Sequence, residues 1–201
     1  MRLIFTICTL FCCTSLLLGQ TEKGKILFGG SSNLNFSSID DKWKIDGDDD
    51  IDLGSSTKLE FAPKVGYFVV DGFAIGLELP VSFDTEKNGH GGKTKINSIA
   101  AVTFARYYFS EKKVKPYLHG GIGFGSSHYE YKFDSYEEDY DSNLFLYELS
   151  GGVAIFLNDI IAIDLGLGYQ AVISKPKEDM DDNRRNILSG VAFNVGFSIS
   201  L

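Results

Sequence analysis

Cysteine is nearly missing. The 201 residues hold three, Cys8, Cys12 and Cys13, all close to the start. Residues 20–201 have none, which excludes disulfides, thiolate chemistry and cysteine-bound metal from that part. Basic charge is scarce as well, and the formal net charge is −8. Binding to nucleic acid needs a basic surface that displaces counterions from phosphate, so no nucleic-acid partner is expected. Helical periodicity is lacking throughout. After Leu18 no apolar run reaches the ~20 residues of a spanning helix.

What is present begins with Arg2, followed by an apolar run from Leu3 to Leu18 and a polar turn at Gly19-Gln20-Thr21. A charged start, an apolar middle and a small residue at the cut make a secretory signal peptide, residues 1–19. Cleavage after Gly19 leaves residues 20–201 as one domain. A retained anchor is the alternative. Phe11 stands before Cys12, where a lipoprotein cut would want a small residue.

From Ile26 onward the hydrophobic period is two, the period of a strand. Eight runs follow, at about 26–36, 59–69, 73–83, 99–109, 116–126, 147–157, 161–171 and 191–201. Each is about eleven residues, against the ~9–11 that a tilted strand needs to cross a bilayer. Val70-Asp71-Gly72, the stretch Ser110–Pro116 and a two-residue turn at Asn158-Asp159 connect them at one end. The connections 37–58, 84–98, 127–146 and 172–190 are long and polar. The expected fold is all-β: an eight-stranded antiparallel up-and-down transmembrane β-barrel, with four long outer loops and three short periplasmic turns.

Alternation alone fits a soluble lipocalin-type barrel too, with the apolar side inward. The opposite parity separates the two. It carries Lys58, Glu60, Lys64, Glu78, Arg106, Glu148 and Asp164, interspersed with Gly66, Gly76, Gly121, Gly123, Gly152, Gly166 and Gly196. A solvent face has no use for so many glycines, which weaken a strand. A narrow lumen has, because an eight-stranded interior only just fits its side chains. The apolar parity of the second to eighth runs holds no charge, as lipid contact requires when one Lys or Arg at mid-bilayer costs ~2–4 kcal/mol. The fourth run is the least regular, since Val102 and Phe104 share the parity of Arg106.

The last residues, "NVGFSISL", place Asn194, Gly196, Ile199 and Leu201 at the spacing of the C-terminal insertion signal of outer-membrane barrels, which they resemble. Leu201 stands where that signal usually has an aromatic. "ARYYF" (Ala105–Phe109), a charged turn and "KPYLHGGIGFG" (Lys115–Gly125) resemble the central hairpin of the small outer-membrane barrel family that includes the OmpX-like and OmpA-barrel proteins. The resemblance implies a monomeric barrel in the cell outer membrane. Its partners would be outer-membrane lipids and lipopolysaccharide, with the assembly machinery reading the last strand. It also implies a non-enzymatic role.

Candidate chemistry is sparse. Lys58, Glu60, Lys64, Glu78, Arg106, Glu148 and Asp164 are expected to form a structural ion-pair network in the lumen, because buried charges persist only when paired. In "DDKWKIDGDDDID", Asp48, Asp50 and Asp52 alternate as in a calcium loop, but Leu53 replaces the required glycine and no Glu falls at the twelfth position. No cofactor, metal site or catalytic residue is expected. The alternative function is a lipid-modifying enzyme built on His128 at the outer rim, beside Ser126, Ser127 and Glu130. His119 is expected to be a hydrogen-bonded interior residue, and His90 lies in a loop tip. The acidic, tyrosine-rich stretch Tyr129–Asp141 is an adhesive surface, a cation-bridged contact with lipopolysaccharide, or a strand continued beyond the membrane with an acidic tip.

Overall fold

The computed structural model describes residues 20–33, 37–43, 51–89, 91–177 and 185–201. The signal segment 1–19 and His90 lie outside the described residues, as do the runs 34–36, 44–50 and 178–184. Among the described residues, ten strands form one antiparallel sheet: β1 (Ile26–Asn33), β2 (Ser37–Trp43), β3 (Ile51–Val70), β4 (Phe73–Glu78), β5 (Val81–Asn88), β6 (Lys93–Tyr108), β7 (Val114–Phe133), β8 (Tyr136–Phe156), β9 (Ile161–Pro176) and β10 (Asn186–Ser200). β4 and β5 are one crossing strand interrupted at Leu79-Pro80, where proline has no N–H to donate. Both pieces pair with β3 and β6, and the gap is bridged by Leu79 N to Pro63 O and Ala100 N to Pro80 O. β1 closes the ring, with Phe28 opposite Ile199 of β10 on one side and Val65 of β3 on the other. Eight strands therefore cross, as the alternation implied.

The apolar parity faces outward. Phe193 is 52% exposed and Phe197 53%, while Glu78 is 6% and Asp164 3%. Leu165 is half-buried. A lipocalin-type barrel would reverse this, so that alternative is excluded. Val102 and Phe104 are buried with Arg106 in the lumen, which resolves the mixed parity of β6.

The connections differ from the expectation at the outer end. Stretches assigned to long loops are mostly paired strand. Ser37–Trp43 runs antiparallel to residues 51–58 of β3, and Val81–Asn88 runs antiparallel to 93–99 of β6. β7 and β8 continue without interruption to a two-residue turn at Asp134-Ser135, with Asp134 at φ 53°. Cross-strand pairing continues wherever two facing polar strands can satisfy their backbone groups, and neither proline nor glycine breaks this stretch. β7 has 20 residues and β8 has 21, roughly twice the bilayer requirement. The turn at 157–160 is also longer than two residues: Asn158 Oδ1 accepts from Ile160 N at 2.9 Å and Ile161 N at 2.7 Å. Val70–Gly72 is tight as expected. Gly72 has φ 74°, and a Cβ there would lie 2.9 Å from Tyr108 O.

Residues 20–25 fold back across the short-turn rim. Gln20 and Thr21 are buried, Gly72 N donates to Thr21 O, and the buried Lys115 ammonium donates to Thr21 Oγ1 at 3.1 Å. Above them an apolar plug of Leu27, Phe68, Phe104, Tyr108, Tyr117 and Phe156 fills the base of the lumen.

Candidate functional site

Between that plug and the outer mouth lies a cavity of about 120 Å³. Its walls include Lys64, Glu78, Arg106, His119, Glu148 and Asp164. Each comes from a different strand or register, and parity alone aims it inward. β3 and β4 set Lys64 directly opposite Glu78, and their charged atoms stand 3.9 Å apart. β6 and β7 set Arg106 opposite His119, and Arg106 Nε donates to His119 Nδ1 at 3.2 Å. Arg106 Nη1 donates to Asp164 Oδ2 at 2.6 Å, and Ser198 Oγ donates to Asp164 Oδ1 at 3.1 Å. The guanidinium also lies 4.3 Å over the Tyr117 ring and donates to Tyr108 Oη at 3.4 Å. A cation in a low-dielectric interior needs this kind of saturation, and Arg supplies several donors to receive it.

His119 links this group to a second one. With Nδ1 accepting from Arg106, the hydrogen-bond network assigns the ring proton to Nε2, which donates to Glu148 Oε1 at 2.8 Å. The same Nε2 stands 3.9 Å from Glu78 Oε2, and the ring stacks on Phe104 at 5.2 Å. Glu78 Oε1 accepts from Ser31 Oγ at 3.2 Å. Gly121 lies opposite Glu148, where a Cβ would come within 3.0 Å of Glu148 Oε1. The bare backbone of β7 is what gives this carboxylate room.

Of the lumen residues named from sequence, Lys64, Glu78, Arg106, Glu148 and Asp164 converge. Lys58 instead meets Glu60 at 3.6 Å on the same strand, and Glu60 reaches the cavity wall. Tyr108, Phe68 and Phe156 join them in the interior, each one step further along the inward parity of its strand. Ser31 and the Thr21–Lys115 contact had no sequence signal, being distant pairs set by ring closure. In β10, Asn194 and Gly196 line the cavity while Ile199 points to the outer side, as does Leu201 just beyond the strand, and Leu201 and Ile26 exchange backbone hydrogen bonds.

Outside the bilayer region, β7 and β8 form a polar ladder. Tyr129 stacks on Tyr140 at 4.7 Å. Lys132 binds Glu130 at 3.1 Å and Glu137 at 2.6 Å, and Lys95 binds Glu130 at 3.3 Å. Hydrogen bonds from Lys132 and then Lys95 hold the Glu130 carboxyl below its ordinary value. His128 Nδ1 lies 3.0 Å from Asp141 Oδ1, and Lys177 donates to Asp141 Oδ2 at 3.4 Å. These contacts, His128 first, hold the Asp141 carboxyl low. Ser126 Oγ accepts from Lys177 at 3.1 Å, and among the described residues no hydroxyl bonds to His128. The acidic stretch 40–52 is only partly described, so its calcium reading lies outside the described residues.

A closed ring with an apolar exterior and an ionic interior is matched by a family model. The outer membrane protein beta-barrel domain matches residues 6–200. The chain belongs to this family. It is an integral outer-membrane β-barrel protein, crossing the bilayer with strands. The family member is similar in fold to Ail, the attachment invasion locus protein of Yersinia pestis, at 14% identity over 89% of this chain and 99% of that one, with a TM-score of 0.48. It is also similar to Neisserial surface protein A, at 17% identity over 87% and 95% with a TM-score of 0.44. OprG from Pseudomonas aeruginosa matches at 16% identity over 92% and 98%, with a TM-score of 0.43. Comparison with curated proteins gave no significant match.

Proposed function

We propose that this barrel is a non-enzymatic envelope protein that closes its own lumen and presents rigid hairpins outward. The observation that carries the reading is the contrast between the two ends. Phe68, Phe104, Tyr108, Tyr117 and Phe156, with the Arg106–Asp164 pair above them, occupy the interior, while β7 and β8 extend far past the membrane with paired, solvated side chains. Such an interior supports structure more than transport. The stacked tyrosines and ion-pair ladder hold an interaction surface in one shape, which lowers the ordering cost of binding. Lipopolysaccharide and lipid are the surrounding partners in this reading. The barrel is a monomer exported by residues 1–19, and the assembly machinery engages β10.

The test is topological. Without the leader the chain has no cysteine. Glu137→Cys should therefore react with an impermeant maleimide on intact cells, and Asp159→Cys only after lysis. The reverse pattern would invert the orientation and sink the surface role. The enzyme alternative rests on the His128–Asp141 pair. Lipid profiles from cells with and without the protein should be identical under the proposed reading. A difference abolished by His128→Ala would replace it.

A further inference from the structure

We propose that Glu78, His119 and Glu148 form a divalent-metal site inside the lumen, suited to zinc. One ligand atom from each lies within 4.8 Å of the other two. Two observations point to a cation. Glu78 Oε2 is buried and has no hydrogen-bond partner, although its sister oxygen is held by Ser31. Its nearest cation, Lys64 Nζ, stays at 3.9 Å, beyond hydrogen-bond reach. The charge balance points the same way. Arg106 is engaged by Asp164, which leaves two carboxylates, Glu78 and Glu148, facing Lys64 and a neutral imidazole. A buried carboxylate oxygen without a partner is costly unless something positive reaches it.

The two separations from His119 bracket the spacing of a small tetrahedral ion. Metal–ligand bonds of ~2.0–2.2 Å at tetrahedral angles set ligand atoms ~3.3–3.6 Å apart. His119 Nε2 is 2.8 Å from Glu148 Oε1 and 3.9 Å from Glu78 Oε2, on either side of that spacing. Shifts of ~0.6 Å would equalise them. Imidazole with two carboxylates is a zinc donor set, whereas calcium and magnesium take oxygen ligands alone. The adjoining cavity leaves room for water at the fourth position. Loading moves the ring proton from Nε2 to Nδ1. The contacts given up are the 3.2 Å one from Arg106, which keeps its 2.6 Å bond to Asp164, and the 2.8 Å hydrogen bond from Nε2 to Glu148, which the ion replaces. Phe104 holds the ring plane, and the space over Gly121 lets Glu148 adjust.

The experiment uses the full mature barrel in detergent, stripped with chelator and titrated with zinc chloride by calorimetry. One equivalent should bind, weakened at least ~10-fold by Glu78→Gln and by His119→Gln and unaffected by Asp141→Asn. Lys64→Met removes the ammonium that competes for Glu78, so it should tighten binding, a gain that misfolding cannot imitate. If the lumen variants fail to fold, a His90→Ala, His128→Ala background leaves His119 as the sole histidine. Its ring nitrogens should then shift on zinc addition in nuclear magnetic resonance spectra. Absent binding, an unmoved His119 ring, or affinity equal in wild type and Glu78→Gln would each overturn the site.

Discussion

Arg106 shows how much one residue's position can be read in advance. Its parity aims it inward, and an inward arginine in a narrow barrel has to find an acid. Which acid could not be read: Asp164 lies 58 residues away, three strands round the ring. Removing one partner of a buried pair leaves the other charge stranded, at ~3–5 kcal/mol. Arg106→Ala should accordingly lower the unfolding temperature, followed by the loss of heat-modifiable mobility on a detergent gel, and planar-bilayer conductance should stay at baseline. An unchanged melting point would remove Arg106 from the network's core. Replacing both partners, Arg106→Met with Asp164→Leu, should cost less than either single change, because no unpaired charge is left. The three-residue cluster of Glu78, His119 and Glu148 was illegible for the same reason as the Asp164 pairing. Its members come from β4, β7 and β8, and no motif spacing links them.

At the scale of the element, the β7–β8 hairpin is the feature that alternation understated. The run 127–146 interleaves aromatics with acids, so hydrophobicity alone leaves open whether it is loop or a strand continued beyond the membrane. The backbone pairs regardless, and side chains add Tyr129–Tyr140, Lys132–Glu137 and His128–Asp141 across the gap. These pairs make its rigidity pH-dependent. Asp141, whose carboxyl is depressed below 3.8 by His128 and Lys177, contributes stability that is complete above that value. The contribution is lost as the pH falls through the lowered value. Glu130, depressed below 4.5 by Lys132 and Lys95, behaves alike. Amide exchange in 127–142 should therefore accelerate relative to the barrel as the pH falls below about 4. Asp141→Asn should abolish its share of the acid step. Uniform exchange across this acid range would mean that backbone pairing alone holds the hairpin.

For the whole molecule, the outer band sets the environment. Phe193 and Leu167 face each other across β10 and β9 and are both exposed. In lipid, Phe193→Arg should destabilise the folded barrel by ~2–4 kcal/mol near mid-bilayer, measured by urea unfolding in liposomes. A change below ~1 kcal/mol would place the residue near the interface and displace the assigned band. The lumen filling predicts an inert bilayer record as well, with no unitary steps from wild type.

Period-two alternation, a charge-free apolar parity and short turns such as Val70–Gly72 were enough by themselves to specify eight crossing strands and the side that meets lipid. Those are local properties, because each residue's face follows from its neighbours along the strand. Tertiary structure alone decided the partners: Arg106 with Asp164, Glu78 with His119 and Glu148, and Thr21 with Lys115. Ring closure and strand register bring together residues that the chain order keeps far apart, and no periodicity records that registration.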